Sequence, residues 1–277
     1  MGETTGVRVT RHPGGTSDAD ELATEEPLEI RIDGDPLAVT MRTPGHDAEL
    51  AAGFCLSEGV IDHPDELERA EPCTLADYGN VVDVTLAGAA RARWEEQRTK
   101  ARRELYLSSS CGLCGTRTID RIERRIPPLA DRFVVSPDVL VRLPLVLGDA
   151  QGVFARTGGL HAAGLFHADG RVRLVREDVG RHNAVDKLVG ALLLSGQLPS
   201  GPSVLLVSGR ASFELIQKAG RAGVGFLAAV GAPSSLAVEA AVRFGMTLVG
   251  FLRGERFNVY AGGERIGAAS RPPSGGG

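Results

Sequence analysis

The sequence predicts an α/β protein, in which a helix-flanked sheet domain over residues 150–265 follows a smaller α+β domain over residues 27–108. Two observations lead to this prediction. After residue 150, short apolar runs alternate with segments of helical periodicity, which is typical of strands covered by helices on both faces. Before that point, short segments alternate apolar and polar residues between turn residues, as in hairpins. A chain of 277 residues with 43% hydrophobic content has room for one large core or two modest ones.

The amino-terminal half is predicted to be mostly hairpins and exposed segments. Residues 1–26 are rich in Asp, Glu, Thr and Gly without apolar periodicity, so we expect a disordered tail there, and residues 266–277 form a second one. Residues 109–149 are predicted to hold a cysteine-containing loop and connecting helices. The elements predicted between the tail and residue 108 are strands over 28–32, 37–41, 82–86 and 105–107, a helix from about 47 to 59, and a loop or exposed helix over 89–103.

The carboxyl-terminal domain is predicted to open with a hairpin of strands 160–166 and 172–175, joined by a His-Ala-Asp-Gly turn. Strands and helices then alternate to the end of the domain. The remaining predicted strands are 204–207, 226–230, 247–252 and 257–260, and the predicted helices are 182–194, 212–222 and 235–244.

Composition and charge exclude several classes of function. The net charge of −4 does not fit a nucleic-acid-binding protein, which usually carries an excess of basic residues. No apolar run of about 18 residues is present to span a membrane, and we expect no secretory signal. Four cysteines, two of them three residues apart, fit thiol chemistry or metal binding better than a secreted disulfide framework. We therefore expect a cytoplasmic protein that binds neither nucleic acid nor membrane.

The segment Ser108-Ser-Ser-Cys111-Gly-Leu-Cys114-Gly115 is the strongest candidate for chemistry. It lies where a predicted strand gives way to a helix, and a helix amino terminus lowers the pKa of a thiol and so favours the reactive thiolate. The alternative is half of a structural zinc site, but neither Cys55 nor Cys73 has a partner at zinc spacing. Cys55 falls on the apolar face of a predicted helix, where cysteine behaves as a small hydrophobe.

Polar residues follow three of the predicted strands. Ser208-Gly209-Arg210 and Gly231–Ser235 each precede a helix, and Arg253 and Arg256 follow a third strand. Ligands of α/β proteins bind at the carboxyl ends of the strands, where small residues and helix amino termini favour phosphate groups. Arginine side chains there can contact a phosphate through two hydrogen bonds. The pattern predicts a nucleotide-like ligand. Because no Walker loop or Gly-x-Gly-x-x-Gly fingerprint is present, ATP hydrolysis and dinucleotide redox chemistry are not expected.

A further polar group lies in the segment Glu177–Lys187 at the start of a predicted helix. Its His182, Asn183 and Asp186 could orient a proton donor beside an anion. The alternative is an ordinary capped helix with solvated charges. His161, which follows a glycine pair, likewise has two interpretations: a site residue, or a half-buried histidine whose ring nitrogens are hydrogen-bonded within the protein.

Several motifs occur in a fixed order along the chain: Thr43-Pro-Gly45, Glu49-Leu-Ala-Ala-Gly53, Ser110-Cys-Gly-Leu-Cys-Gly115, Thr157-Gly-Gly-Leu-His-Ala162, Glu177-Asp-Val-Gly-Arg-His-Asn-Ala-Val-Asp-Lys187, Ser208-Gly-Arg210 with Ser212-Phe-Glu214, and Gly250-Phe-Leu-Arg-Gly254. Together they resemble the FdhD/NarQ family, accessory sulfurtransferases required for active formate dehydrogenase. The resemblance covers residues 26–260.

The resemblance implies a sulfur carrier that accepts persulfide sulfur from a cysteine desulfurase. The sulfur then passes to the molybdenum of a bis(molybdopterin guanine dinucleotide) cofactor, bound as substrate, before insertion into formate dehydrogenase. The family's persulfide cysteine corresponds to Cys111, and Cys114 is the second thiol of the relay. Its cofactor-binding segment, where a guanine nucleotide would mimic the cofactor, corresponds to Phe251, Leu252, Arg253, Gly254, Glu255 and Arg256.

The resemblance also implies a homodimer and a carboxyl-terminal domain similar in fold to cytidine deaminases. That fold makes a zinc-dependent hydrolase one alternative. Such enzymes need a His-x-Glu motif followed by Pro-Cys-x-x-Cys, whereas Ala-Ala follows His161 here and the cysteine pair precedes it. A thioredoxin-like reductase lacks its compact βαβ start. The nearest alternative is a non-catalytic molybdenum-cofactor chaperone, which would use the same surface without needing either cysteine.

Overall fold

The computed structural model describes residues 2–73, 80–101, 126, 129 and 133–267. Within these ranges the chain forms three β-sheets with twelve strands, and seven α-helices. None of the described helices is both long enough and apolar enough to cross a bilayer. The α/β class predicted from the sequence is confirmed. The predicted carboxyl-terminal tail begins at residue 266, but Ile266 forms a β-bridge with Val135, and residues 268–277, like the predicted strand over 105–107, lie outside the described residues.

The amino-terminal hairpin corrects the prediction of a disordered tail. Strands β1 (Thr4–Arg11) and β2 (Thr16–Ala23) pair antiparallel along their whole length. Two glycines at positions 14–15, both with positive φ, supply the turn, and side chains such as Arg11 and Asp18 bond across it at 2.9 Å. The sequence did not predict this hairpin, because its strands bond through polar groups and bury no apolar face that would give an alternating pattern.

A four-stranded sheet follows, in the order β4-β3-β6-β5. The hairpin and the third strand predicted from the sequence are confirmed, and the charged segment after the first helix becomes a second helix. Strand β5 was not predicted, because its sequence LERAEP carries three charges and no apolar alternation. The elements are β3 (Glu26–Ile32), β4 (Asp35–Arg42), α1 (Asp47–Ser57), β5 (Leu67–Pro72), β6 (Val81–Leu86) and α2 (Gly88–Ala101).

The third sheet has six strands, in the order β12-β11-β10-β9-β7-β8. Its three central strands, β9, β10 and β11, are parallel, and antiparallel strands flank them. The predicted strands are confirmed, although the second one extends further, to Asp178. The strands are β7 (His161–Phe166), β8 (Val172–Asp178), β9 (Val204–Val207), β10 (Phe226–Ala229), β11 (Thr247–Arg253) and β12 (Arg256–Ala261).

Helices cover both faces of this sheet, as the continuous apolar strands predicted. Helix α3 (Pro137–Asp149) packs its buried leucines on one face, with Leu206 of β9. The side chain of the preceding residue of β9, Leu205, points to the opposite face of the sheet and lies in the core there. The helices of that face are α5 (Arg181–Leu194), α6 (Phe213–Arg221) and α7 (Ser235–Arg243), and a short helix α4 (Gly152–Thr157) precedes β7. The similarity to cytidine deaminases and the domain boundaries stay predictions.

Helices α1 and α5 are in backbone contact. A Cβ atom on Gly53 would overlap the carbonyl oxygen of Asp186, and one on Gly190 would overlap that of Glu49. Only glycine permits this approach, since any side chain would push the two helices apart. Because α1 lies on the four-stranded sheet and α5 on the six-stranded one, the contact joins the two sheets through one apolar core.

Replacing Gly53 by alanine is expected to lower the free energy of unfolding by about 3 kcal/mol or more, because neither helix backbone can move aside. Gly148→Ala is the matched control, since Gly148 is also helical but has open space around its Cβ position. The control should raise the free energy of unfolding by up to about 1 kcal/mol. Denaturant unfolding measures both changes, and equal effects of the two substitutions would contradict the helix contact.

Candidate functional site

A cleft of about 250 Å³ opens at the carboxyl ends of strands β9 and β10. The loops that follow these strands form its floor, and the start of α5 forms one wall. Among the described residues that line it, two are arginines and none is acidic. These lining residues are Arg181, Arg210, Ala211, Ser212, Ala232, Pro233 and Ser234.

Three helices begin at this cleft. Gly180, Ser212 and Ser234 are the N-cap residues of α5, α6 and α7. The backbone N–H groups of a first helical turn have no partner within the helix and give that end a partial positive charge. Three such ends around one cleft favour an anion in it.

The two arginines add full positive charges. Arg181 is the first residue of α5, and its Nε atom is buried without a hydrogen-bond partner among the described residues. Arg210 is exposed in the loop between β9 and α6. A guanidinium group that has no carboxylate partner at a cleft is available to a ligand, and its planar fork suits a phosphate.

Glycines hold the two floor loops side by side. The N–H of Gly231 donates to the carbonyl oxygen of Gly209 at 2.9 Å, and a Cβ on Gly231 would lie only 3.0 Å from that oxygen. Ala211 and Pro233 form an isolated parallel bridge just beyond. The small residues at these strand ends therefore keep the floor narrow, which the sequence pattern could only suggest.

Two histidines lie beside the cleft. His161 Nδ1 is 3.4 Å from Ser208 Oγ, and burial together with the nearby charge of Arg181 lowers the pKa of this imidazole. His182 Nε2 is 3.0 Å from Glu214 Oε2 and 3.2 Å from Ser212 Oγ. Burial lowers the pKa of His182 as well, although Glu214 opposes the change. Both shifts favour the neutral imidazole.

The carboxylates of the segment 177–187 are structural. Asp178 is fully buried, pairs with Lys187 Nζ at 2.8 Å and accepts a hydrogen bond from the backbone N–H of Thr43 at 3.1 Å. Asp186 pairs with Lys218 Nζ at 2.8 Å. The sequence singled out His182, Asn183 and Asp186, but it gave no role to Arg181. The only signal for Arg181 was its position directly after the helix-starting glycine.

Comparison with known proteins decides the family. Residues 23–267 match the sequence model of the FdhD/NarQ family. The chain belongs to the FdhD/NarQ family. A Streptomyces coelicolor relative named sulfur carrier protein FdhD is 54% identical over 255 residues, which are 89% of each chain. A Mycobacterium tuberculosis relative of the same name is 48% identical over 96% of this chain and 100% of its own length.

A solved structure is similar as well. The crystal structure of a Desulfotalea psychrophila protein, described as a formate dehydrogenase accessory protein, superposes with a TM-score of 0.71 and 25% sequence identity. The match covers 95% of this chain and 98% of that one. The FdhD/NarQ fold thus extends over nearly the whole chain.

The residues of the cofactor-binding segment expected for an FdhD/NarQ protein, 251–256, lie in different environments: one adjoins the cleft, one is buried and four are exposed. The N–H of Phe251, at a positive φ of 52°, donates to the carbonyl oxygen of Gly231 at 2.9 Å, so this residue adjoins the cleft floor. Leu252 is fully buried in the core beneath α3. Gly254 and Glu255 form the exposed turn after β11. Arg253 and Arg256 are exposed on either side of this turn, and the Arg253 guanidinium lies 5.7 Å from the centre of the Phe251 ring.

The four cysteines fall into two groups. Cys111 and Cys114 lie outside the described residues. Cys55 is fully buried, and burial raises the pKa of its thiol, so its prediction as a small hydrophobe is confirmed. Cys73 is half-buried directly after β5.

Removing the charge of Lys187 is expected to cost about 3–5 kcal/mol of the free energy of unfolding, because Lys187→Met leaves Asp178 buried without its cation. Arg171→Met is the control, since its pair with Asp169 is exposed on both sides. Denaturant unfolding should show no change for the control. A Lys187→Met variant as stable as the wild type would contradict the structural role of the pair.

Proposed function

We propose that this protein is a cytoplasmic sulfur carrier that takes a persulfide sulfur from a cysteine desulfurase. It transfers this sulfur to the molybdenum of bis(molybdopterin guanine dinucleotide), which is then inserted into formate dehydrogenase. Family membership supports the proposal, as do the names of the relatives and of the solved structure. We further propose that the carrier acts as a homodimer.

The observation that carries the proposal is the cleft at the start of α5, α6 and α7. The dinucleotide substrate contains pyrophosphate groups, whose charges match two guanidinium groups and three helix amino termini. The cleft volume of about 250 Å³ suits a diphosphate group rather than a whole dinucleotide. We therefore place the phosphates between Arg181 and Arg210.

The rest of the nucleotide is assigned to the segment 251–256. Phe251 adjoins the cleft floor, and its ring with the Arg253 guanidinium offers a stacking surface for a base. Arg256 adds a second exposed cation on the same hairpin. Leu252 contributes only through its backbone, because its side chain is buried.

The sulfur chemistry is assigned to the cysteine pair. The Cys111 thiolate attacks the outer sulfur of the donor persulfide, and the donor cysteine leaves as a thiolate, so that the persulfide now lies on Cys111. Cys114 then attacks the inner sulfur of this persulfide. A Cys111–Cys114 disulfide forms, the outer sulfur leaves as sulfide for the molybdenum, and a thiol reductant restores the pair.

The chain is long enough to bring these thiols to the cleft. Ile126, twelve residues after Cys114, lies against Gly220 near the end of α6. The amino terminus of α6 at the cleft is about 10 Å away along the helix. Twelve residues can span up to about 40 Å, so the connection permits the transfer.

Incubation with a cysteine desulfurase and free cysteine should add the mass of one sulfur atom to the protein, detected by intact-protein mass spectrometry and removed by reduction. Cys111→Ser should abolish the gain, because no thiolate is left at that position to accept sulfur. Cys73→Ser is the control and should retain it. Sulfur gained equally by the Cys111 variant would contradict the assignment.

A non-catalytic cofactor chaperone remains the second candidate, because the cleft by itself accounts for cofactor binding. The double variant Cys111→Ser, Cys114→Ser distinguishes the two. A sulfur carrier should lose formate dehydrogenase activation in this variant while still binding guanosine diphosphate, whereas a chaperone should keep both. Full activation by Cys114→Ser alone would remove the disulfide step.

Arg181→Ala and Arg210→Ala are each expected to weaken the binding of guanosine diphosphate about tenfold or more, because each removes charged hydrogen bonds to phosphate. Titration calorimetry gives the affinities. Arg171→Ala, at the exposed turn between β7 and β8, is the control and should bind like the wild type. Unchanged affinity in both cleft variants would show that the phosphates bind elsewhere.

A further inference from the structure

Ser212 is an N-cap residue whose hydroxyl does not cap its helix. At the start of α7, the hydroxyl of Ser234 accepts a hydrogen bond from the N–H of Ala237 at 3.2 Å, as N-cap serines commonly do. Ser212 has the same extended backbone at the start of α6, but its side chain makes no such bond. Its oxygen instead lies 3.2 Å from His182 Nε2, at the edge of the cleft.

The Nε2 atom of His182 also contacts a carboxylate. Glu214 Oε2 lies 3.0 Å from His182 Nε2, and more than half of the Glu214 side chain is exposed. A carboxylate accepts hydrogen bonds, so Nε2 carries the hydrogen and donates it to Glu214. The Ser212 hydroxyl then keeps its own hydrogen for another acceptor.

Four charged groups face His182. Glu214 and Lys218 come from α6, and Arg181 and Asp186 come from α5. Lys218 and Asp186 are already paired with each other at 2.8 Å. Arg181 lines the cleft, so the charge balance around His182 changes when an anion binds beside this arginine.

We propose that His182 is a positioning residue of the cleft, which restrains Glu214, leaves the Ser212 hydroxyl for the ligand, and couples anion binding to its own protonation. This inference rests on the proposed function in taking the cleft as the phosphate site. It adds a pH-dependent control of how tightly that site holds its nucleotide.

The sign of the coupling follows from charge. Burial keeps the pKa of His182 below its ordinary value in the unliganded protein, which favours the neutral ring. A bound anion favours the imidazolium form and raises this pKa. By linkage, protonation of His182 strengthens anion binding by the same factor, so the affinity rises as the pH falls.

The test uses a ligand whose own charge is constant. In guanosine diphosphate mannose each phosphate carries one ester and one anhydride bond and keeps only a strongly acidic hydroxyl, so neither titrates between about pH 5 and 8, where histidine does. Titration calorimetry should give at least about fivefold tighter binding to the wild-type protein at pH 5 than at pH 8. His182→Gln, which keeps a hydrogen-bond donor but cannot be protonated, should show a clearly smaller difference between the two pH values, the remainder arising from His161 beside the cleft.

His167→Gln is the matched control, since His167 lies in the turn at the opposite end of β7 from the cleft, and it should keep the wild-type pH profile. Ser212→Ala should weaken binding at every pH. Parallel pH profiles of the wild type and His182→Gln would overturn the inference while leaving the cleft assignment intact. No binding to the wild type at any pH would overturn both.

A second variant decides the matter if His182→Gln does not fold. Glu214→Gln removes an exposed negative charge beside the cleft without changing its shape. Glu214 raises the pKa of His182, so in this variant the rise in affinity with falling pH should move to lower pH. A pH profile of binding that does not move from that of the wild type overturns the coupling.

Discussion

The contact between helices α1 and α5 fixes the position of the site. Gly53 and Gly190 let the two helix backbones touch, and the buried pair of Asp178 with Lys187 fastens the start of α5 to the loop at Thr43. A helix held in this way cannot rotate or slide without uncovering a charge. Its first residue, Arg181, therefore lines the cleft in a defined position, and the next, His182, contacts Ser212 at the edge of the cleft.

The distribution of charge around α5 explains why the cleft suits an anion. Two acidic residues on and next to α5 are used in ion pairs: Asp178 with Lys187, and Asp186 with Lys218. Arg181, on the same helix, has no such partner among the described residues that line the cleft. These pairs leave the positive charge of Arg181 at the start of α5 uncompensated, which favours a phosphate group in the cleft.

Much of the carboxyl-terminal half could be predicted from the sequence, because its strands are continuously apolar and its turns carry Gly and Ser at the expected places. The strand 204–207 and the loop with Arg210 after it are examples. The hairpin at residues 4–23 and strand β5 could not be predicted, since their pairing satisfies polar groups rather than burying an apolar face. For the site, the sequence identified the loops, but not which residues of 177–187 line the cleft and which form buried ion pairs. Those roles depend on contacts with Thr43, which lies far away in the chain, and on which face of α5 each residue occupies. In the segment 251–256, the sequence likewise could not show that Leu252 points into the core.

The most direct test of the account is a crystal structure of the protein with guanosine diphosphate bound. The account predicts phosphate density between the guanidinium groups of Arg181 and Arg210, within hydrogen-bond distance of the first backbone N–H groups of α6. Nucleotide density elsewhere, for example in the polar groove along β8 that includes Arg173 and His167, would contradict the assignment of the cleft.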